Sequence, residues 1–321
     1  MATEKLLWIR AALQLRGSVI FVVLPRVLLC GIFGFLISLL YYFDFPVSWH
    51  IWGSVITNVV FNLILGLLLV FRTNTAYERY WEGRKSWGNL VVNVRNLARQ
   101  IWIGVAEVEP TDREKKASIL RLLVAFAIAT KLHLRQEPIN SDLENTIKLY
   151  NVEAPNLASL QRVKNPPLEV SLWIGDYLQQ QYHRNCLNSQ QLYAMNTLLD
   201  SMVQALTGCE RIVNTPIPLA YAIYLKRLLL IYCICLPFQI VDNLNWWTGL
   251  IAALISFALF GLEEIGNEIE NPFGYDPNDL PVDEICTTLL ENIEDFIAFK
   301  SLESELTPQP TIREEESPIS I

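Results

Sequence analysis

The sequence predicts an all-α integral membrane protein with four membrane-crossing helices and a large cytoplasmic helical domain. Three observations predict this fold class. Hydrophobic residues make up 52% of the 321 residues, whereas about 45–50% is usual in soluble domains. They gather in runs that approach or exceed the roughly 20 residues that a helix needs to cross a bilayer core. The remaining segments carry helix-capping and turn residues but no strand pattern.

The first two spans are predicted at 19–42 and 49–71. Tyr41 and Tyr42 lie at the far end of the first span, where aromatic side chains sit at a membrane interface. The second span carries no charge and ends sharply at Arg72. The two runs therefore predict a helical hairpin across the membrane.

The third and fourth spans are predicted at 219–241 and 246–262. Lys226 and Arg227 lie inside the third span. Each would cost at least about 2.5 kcal/mol at the bilayer centre, so we expect both to face protein, water or the inner headgroups.

The distribution of basic residues predicts the orientation of the spans. Both predicted outer loops lack lysine and arginine. Basic residues instead precede the first span and follow the second, which by the positive-inside rule makes these flanks and both termini cytoplasmic. These residues are Lys5, Arg10, Arg16, Arg72, Arg79, Arg84, Lys85, Arg95 and Arg99.

The predicted organisation follows from these spans. The segment 119–134 is apolar but is interrupted by Arg121, Lys131 and His133, so we expect it to form the buried centre of the cytoplasmic domain. Helices are predicted there at 76–108, 112–135, 140–150, 168–182 and 188–213, with a break around Pro166 and Pro167, and another helix at 282–304. The predicted parts are 1–18 (cytoplasmic), 19–71 (two spans), 72–218 (cytoplasmic helical domain), 219–264 (two spans), 265–305 (cytoplasmic loop and helix) and 306–321 (disordered tail).

Composition argues against several functions. The net charge of −8 provides no basic field for nucleic acid. The three histidines show no ligand or catalytic spacing and no nucleophile motif is present, so we expect no enzyme activity, metal or cofactor. The six cysteines lack a convincing zinc spacing and are expected to be free thiols.

Three sequence segments resemble one known family. Residues 69–88 read LVFRTNTAYERYWEGRKSWG, residues 209–218 contain CER and TPIP, and residues 268–281 contain EIENPFG and NDLP. Together they resemble the bestrophin family of ion channels, specifically its bacterial and chloroplast anion-channel branch. The resemblance implies a homopentamer around one central pore that carries chloride, with bicarbonate and nitrate as further candidates. It also implies a plasma (inner) or thylakoid membrane.

The resemblance further implies a hydrophobic neck on the second span at Leu63, Leu67 and Phe71. The spacing i, i+4, i+8 puts these side chains on one helix face. Repeated around a ring, they would form stacked apolar constrictions that gate by dewetting. The positive edge of the Phe71 ring could favour an anion. Ordinary packing or lipid contact is the alternative interpretation.

Two further pairs of residues are candidates along the same helix. Asn58 and Asn62 could contact ions at the outer mouth, or could form interhelical hydrogen bonds. Arg72 and Arg79 could concentrate anions in a vestibule, or could belong to an ion-paired helix at the membrane edge.

The resemblance places two other sites in the cytoplasmic parts. A second constriction, the aperture, is expected near Gln190 or Leu187. Asn271, Asp276 and Asp279 match positions near the calcium clasp of animal bestrophins. Calcium takes six to eight oxygen ligands and this loop offers few, so we expect a structural turn and no calcium gating.

Two other transport functions remain open. One is a monovalent cation channel of the same fold, which the acidic net charge favours. The other is a secondary transporter, although the paired repeats typical of that class are absent from the sequence. The expected partners are small anions, membrane lipids and further copies of the chain.

Overall fold

The computed structural model describes residue 14 and residues 17–47, 59–148 and 160–306. Within these residues the chain is helical and contains no strand. Nine α-helices are present in the described part: α1 (Ile20–Tyr42), α2 (Val59–Gly104), α3 (Asp112–Leu134), α4 (Ser141–Lys148), α5 (Pro166–His183), α6 (Ser189–Asn214), α7 (Leu219–Leu244), α8 (Thr248–Glu268) and α9 (Val282–Leu306). The predicted all-α class is confirmed.

The chain divides into two compact units. The first unit comprises residues 1–89 and 204–280, and the second comprises residues 90–203 and 281–321. Both α2 and α6 contain a boundary between the units.

The first unit contains α1, α7, α8 and the start of α2. Its core is apolar and includes Val23, Leu65, Leu69 and Leu229. Glycines bring α1 and α8 close together, since a Cβ added at Gly34 would lie 2.9 Å from the Cα of Gly249. Small residues at such crossings are typical of helices that pack in membranes, where close backbone approach supplies the attraction.

In the part of the chain that the structure describes, four segments are long and apolar enough to cross a membrane: 20–42, 59–104, 112–134 and 219–268. The first, second and last contain the predicted spans, because the last comprises both α7 and α8. Predicted residues 49–58 of the second span lie outside the described residues. The apolar window of α3 is 83% buried, which agrees with the prediction that this helix is an internal core element.

Two of the side chains that interrupt α3, Arg121 and Lys131, have partners on α9. Arg121 donates two hydrogen bonds to the carboxylate of Glu294, at 2.6 and 2.8 Å. Lys131 donates one to Asp283 at 2.8 Å. Leu122 and Leu123, which lie between them, are completely buried. Helix α3 therefore lies in the core of the second unit with these two cations paired.

A non-helical stretch at 161–165 precedes the helix predicted at 168–182, which begins two residues earlier, at Pro166 and Pro167. These residues form the first turn of α5, and the Asn165 side chain caps the helix by accepting a hydrogen bond from the Leu168 N–H at 3.2 Å. Proline fits this position because the first N–H groups of a helix have no intrahelical acceptor.

Asp112 organises the loop before α3. Its side chain accepts hydrogen bonds from the backbone N–H groups of Val108 and Glu109, at 3.0 and 2.9 Å. Arg184 donates to both of its carboxylate oxygens, at 2.8 and 3.0 Å. The Arg184 guanidinium is the main reason that the pKa of Asp112 lies far below its ordinary value.

We expect Asp112→Asn to destabilise the protein by about 2 kcal/mol, because the amide keeps the shape but loses the charge-assisted bonds to Arg184. The unfolded aspartate takes up a proton near pH 4 and the folded one only at lower pH, so wild-type stability falls as pH drops below about 4. Unfolding of both proteins from pH 7 to pH 3 should show the difference between them shrinking in acid. A constant difference would contradict the assignment.

Candidate pore-lining helix and its junction

The first half of α2 has two contrasting faces. Leu65, Leu69, Arg72 and Ala76 follow one face and are all buried in the first unit. Their spacing of four, three and four residues is that of one helical stripe. This face therefore packs against the rest of the unit.

The predicted neck residues lie on the opposite face. The side chains of Leu63, Leu67 and Phe71 are 59%, 45% and 59% exposed in the single chain. Leucine and phenylalanine are usually buried in a folded chain, so this stripe needs lipid, a pore or another subunit to cover it. The structure places the three predicted residues together on one unpacked face.

The same face turns polar after Phe71. Asn74 and Glu78 come one and two turns later and are exposed. Sequence reasoning did not select Asn74, although its spacing of three residues from Phe71 would have placed it on the stripe. The stripe thus consists of apolar residues followed by polar ones.

Of the two asparagines predicted at the outer mouth, the structure describes Asn62 but not Asn58. Asn62 is exposed and, being next to Leu63, points about 100° around the helix from it. Asn58 lies outside the described residues.

Arg72 does not join the stripe, because it lies on the buried face. Its side chain is 3% exposed. Its Nη2 donates to Glu270 Oε2 at 2.6 Å and to Asn267 Oδ1 at 3.0 Å. The other oxygen of Glu270 accepts the backbone N–H of Ile217 at 2.9 Å. Arg72 thus ties α2 to the end of α8 and, through Glu270, to the turn before α7.

Arg79 binds the carboxyl end of α6. Its guanidinium donates to the carbonyl oxygens of Ile212, Thr215 and Glu270, at 2.6, 2.5 and 3.2 Å. The last carbonyls of a helix have no intrahelical donor, so an arginine there satisfies them and favours the helix dipole. Burial lowers the pKa of Arg79, but a guanidinium remains charged.

Further along α2, Gly83 and Trp87 pack closely against the loop that follows α8. A Cβ on Gly83 would lie 2.6 Å from Pro272, so only glycine allows this approach. Four residues further along, the Trp87 ring lies 6.2 Å from that of Phe273. The three sequence segments that resemble bestrophins therefore meet in one region of the first unit.

The loop at 271–279 uses its polar groups internally. Asp279 accepts the backbone N–H of Asp276 at 2.8 Å, and Asn278 donates to Glu268 at 2.7 Å. Asn271 is exposed. Among the described residues no group of three or more histidine, cysteine, aspartate or glutamate side chains could hold a metal.

The aperture candidates lie at the start of α6, in the second unit. Leu187 is buried, whereas Gln190 is exposed in the first helical turn. Asn188 and Gln191 cap this end reciprocally, each side chain accepting the other residue's backbone N–H, at 2.9 and 2.8 Å. The cap fixes the direction in which the first turn leaves the loop.

Comparison with known proteins decides the family. Residues 1–295 match the family described as bacterial and fungal bestrophin protein. The chain belongs to the bestrophin family. A protein of Nostoc sp. is 60% identical over 92% of this chain and 94% of its own length, and one of Synechocystis sp. is 49% identical over 91% and 92%. Both are named voltage-dependent anion channel-forming proteins.

A solved structure gives the same result for this bestrophin. A bacterial bestrophin homologue from Klebsiella pneumoniae matches with a TM-score of 0.75 and 26% identity, covering 86% of this chain and 98% of its own. An Escherichia coli relative, 33% identical over 88% of this chain, also carries the name voltage-dependent anion channel-forming protein. The family and membrane character predicted from the sequence are confirmed.

Proposed function

We propose that this chain forms a passive anion channel, with chloride as its principal ion and bicarbonate and nitrate as further candidates. The observation that carries the proposal is the exposed stripe of Leu63, Leu67 and Phe71, opposite the packed face of α2. The relatives named as anion channel-forming proteins support the direction of the proposal.

The pore is proposed to form between copies of the chain. Four spans rarely enclose a pore, whereas a closed ring of identical chains needs only one lining helix from each. A homopentamer would stack five copies of Leu63, Leu67 and Phe71 into three apolar rings. Water leaves a narrow apolar constriction readily, so such rings impede ions until the neck widens.

Phe71 is proposed to contribute to anion selectivity. Its ring is the only aromatic one among the three neck positions, and its edge carries partial positive charge. An edge directed into the pore would favour a dehydrated anion over a cation. The amide of Asn74, one turn further along the helix, could then donate hydrogen bonds to the anion.

Arg72 and Arg79 are proposed to position the neck helix rather than to contact ions. Both guanidinium groups are engaged at the junction, with Glu270, Asn267 and backbone carbonyls. A change in this junction would shift the end of the α2 stripe. The two arginines would therefore affect gating by holding the neck helix in position, without contacting the ions.

The proposed topology follows the basic residues. Both termini and the region 72–218 lie on the cytoplasmic side of a plasma (inner) or thylakoid membrane. Asn62, with Asn58, would then flank the outer mouth of the pore. Gln190 is the proposed aperture residue, because burial withdraws Leu187 from any pore surface.

Calcium should not open this channel. Asp279 already accepts a hydrogen bond from the backbone of its own loop. The loop does not provide the six to eight oxygen ligands that calcium takes. Titrating calcium on the cytoplasmic side should leave the open probability unchanged. Activation by micromolar calcium would contradict this prediction.

Chloride flux tests the passive mechanism. Proteoliposomes loaded with chloride should release it down its gradient, in proportion to concentration and without a coupled ion, once the membrane potential is clamped. Saturating flux that requires a counter-ion would favour the secondary transporter.

One observation favours a second candidate, a monovalent cation channel. Glu78 is exposed on the same face of α2 as the neck residues, and a ring of five carboxylates would attract cations. The ion selectivity decides between the two.

A further inference from the structure

A cavity lies in the first unit, among α1, α7 and α8. Its volume is about 330 Å³. Its walls are largely apolar and include Leu29, Leu230 and Phe260, and its charged lining residues are Arg26, Lys226 and Glu263. We call this cavity the slot.

Glu263 holds the cations of the slot in place. Its side chain is 4% exposed, and its carboxylate lies 3.6 Å from both Arg26 Nη1 and Lys226 Nζ. The amide of Asn267 donates to it at 2.8 Å. Arg26 Nη1 also donates to Glu264 at 2.9 Å. A buried carboxylate needs such partners, and Arg26 and Lys226 supply them from the rim of the slot.

The cations retain hydrogen-bonding capacity. Within the described part of the chain, the Lys226 ammonium donates no hydrogen bond and Arg26 donates only through Nη1. Two cations and one carboxylate line the slot, and Glu264 adds a second carboxylate beside Arg26. Unused cationic donors beside apolar walls favour an anionic acceptor.

We propose that the slot binds one anionic phospholipid. Its phosphate accepts hydrogen bonds from Arg26 and Lys226, and an acyl chain lies against Leu29 and Leu230. Basic pockets between membrane helices on the cytoplasmic side suit such headgroups, and the third-span cations lie on that side in the proposed topology. A free phosphate ion would satisfy the cations but would leave the apolar walls uncovered.

Lipid competition tests the site directly. Full-length protein in mixed micelles with equal phosphatidylglycerol and phosphatidylcholine is analysed by native mass spectrometry. We expect wild type to retain phosphatidylglycerol preferentially. Lys226→Gln should weaken that retention about fivefold, since one basic side chain contributes about 1 kcal/mol. Lys226→Arg should preserve it.

A second pair of variants tests the apolar part. Leu230→Trp fills the slot and should reduce retention of phosphatidylglycerol. Leu254→Trp is the matched control, because Leu254 is similarly exposed on α8 but does not line the slot, and it should bind lipid as wild type does. This pair keeps the test valid even if Lys226→Gln fails to fold.

Three results would overturn the proposal. One is equal retention of the two lipids by wild type. Another is retention that neither Lys226→Gln nor Leu230→Trp changes. The third is displacement of phosphatidylglycerol by millimolar inorganic phosphate, which would indicate a site for free anions. Lipid binding is measured without ion current, so a failure of the channel proposal remains distinguishable.

Discussion

Replacing Phe71 by alanine should raise the conductance of the channel and weaken its preference for anions. The substitution widens the last apolar ring of the proposed neck and removes the aromatic edge. Lowering the barrier in the neck by about 1.4 kcal/mol would increase the conductance about tenfold. Single-channel recording in planar bilayers, with chloride and potassium at unequal concentrations, measures both effects.

Phe257→Ala is the matched control for this prediction. Phe257 lies on α8 and is also exposed in the single chain, but it is not on the stripe of α2. We expect its loss to leave conductance and selectivity unchanged. If Phe71→Ala behaved like Phe257→Ala, the neck assignment would be wrong and the stripe would face lipid or a neighbouring subunit.

Replacing Arg72 by methionine should strongly destabilise the protein. Methionine fills similar space but leaves the carboxylate of Glu270 and the amide of Asn267 without their shared cation. Breaking a buried ion pair by removing one partner costs about 3–5 kcal/mol. Thermal unfolding of the detergent-purified protein should show the lowered stability as a lower melting temperature.

Two further variants locate the source of this effect. Arg99→Met removes an exposed arginine of the same helix and should change stability by no more than about 0.5 kcal/mol. Glu270→Gln, alone and combined with Arg72→Met, completes a double-mutant cycle. The double variant should be much less destabilised than the sum of the single variants. Strict additivity would show that the two residues do not depend on each other.

The spans could be predicted from sequence because the apolar runs are long and their flanking charges are asymmetric. The same reasoning separated α3 from the spans, since Arg121 and Lys131 need partners that a lipid core lacks. The structure supplies these partners on α9. Local sequence patterns were therefore sufficient to predict an element when contact with solvent or lipid decides where that element lies.

The roles of Arg72 and Arg79 could not be predicted in the same way. Arg72 follows the second span directly, which is compatible with both a vestibule and an ion pair. Its partner Glu270 is 198 residues away in the chain, and no local pattern indicates that pairing. The start of α5 was predicted two residues too late for a related reason, because proline both ends and begins helices and the Asn165 cap decides between the two.

The neck residues illustrate what a family resemblance adds. Nearly every residue from 59 to 71 is apolar, so periodicity alone does not distinguish one face of this helix. The resemblance selected Leu63, Leu67 and Phe71, and the packing of Leu65 and Leu69 leaves that face uncovered. In the proposed pentamer this face would line the pore.

The reversal potential across a potassium chloride gradient tests the central claim most directly. The purified protein is fused into planar bilayers, and the voltage of zero current is compared with the equilibrium potentials of the two ions. We expect a reversal near the chloride potential, as an anion channel requires. A reversal near the potassium potential would contradict the claim and would assign the ring at Glu78 to a cation channel.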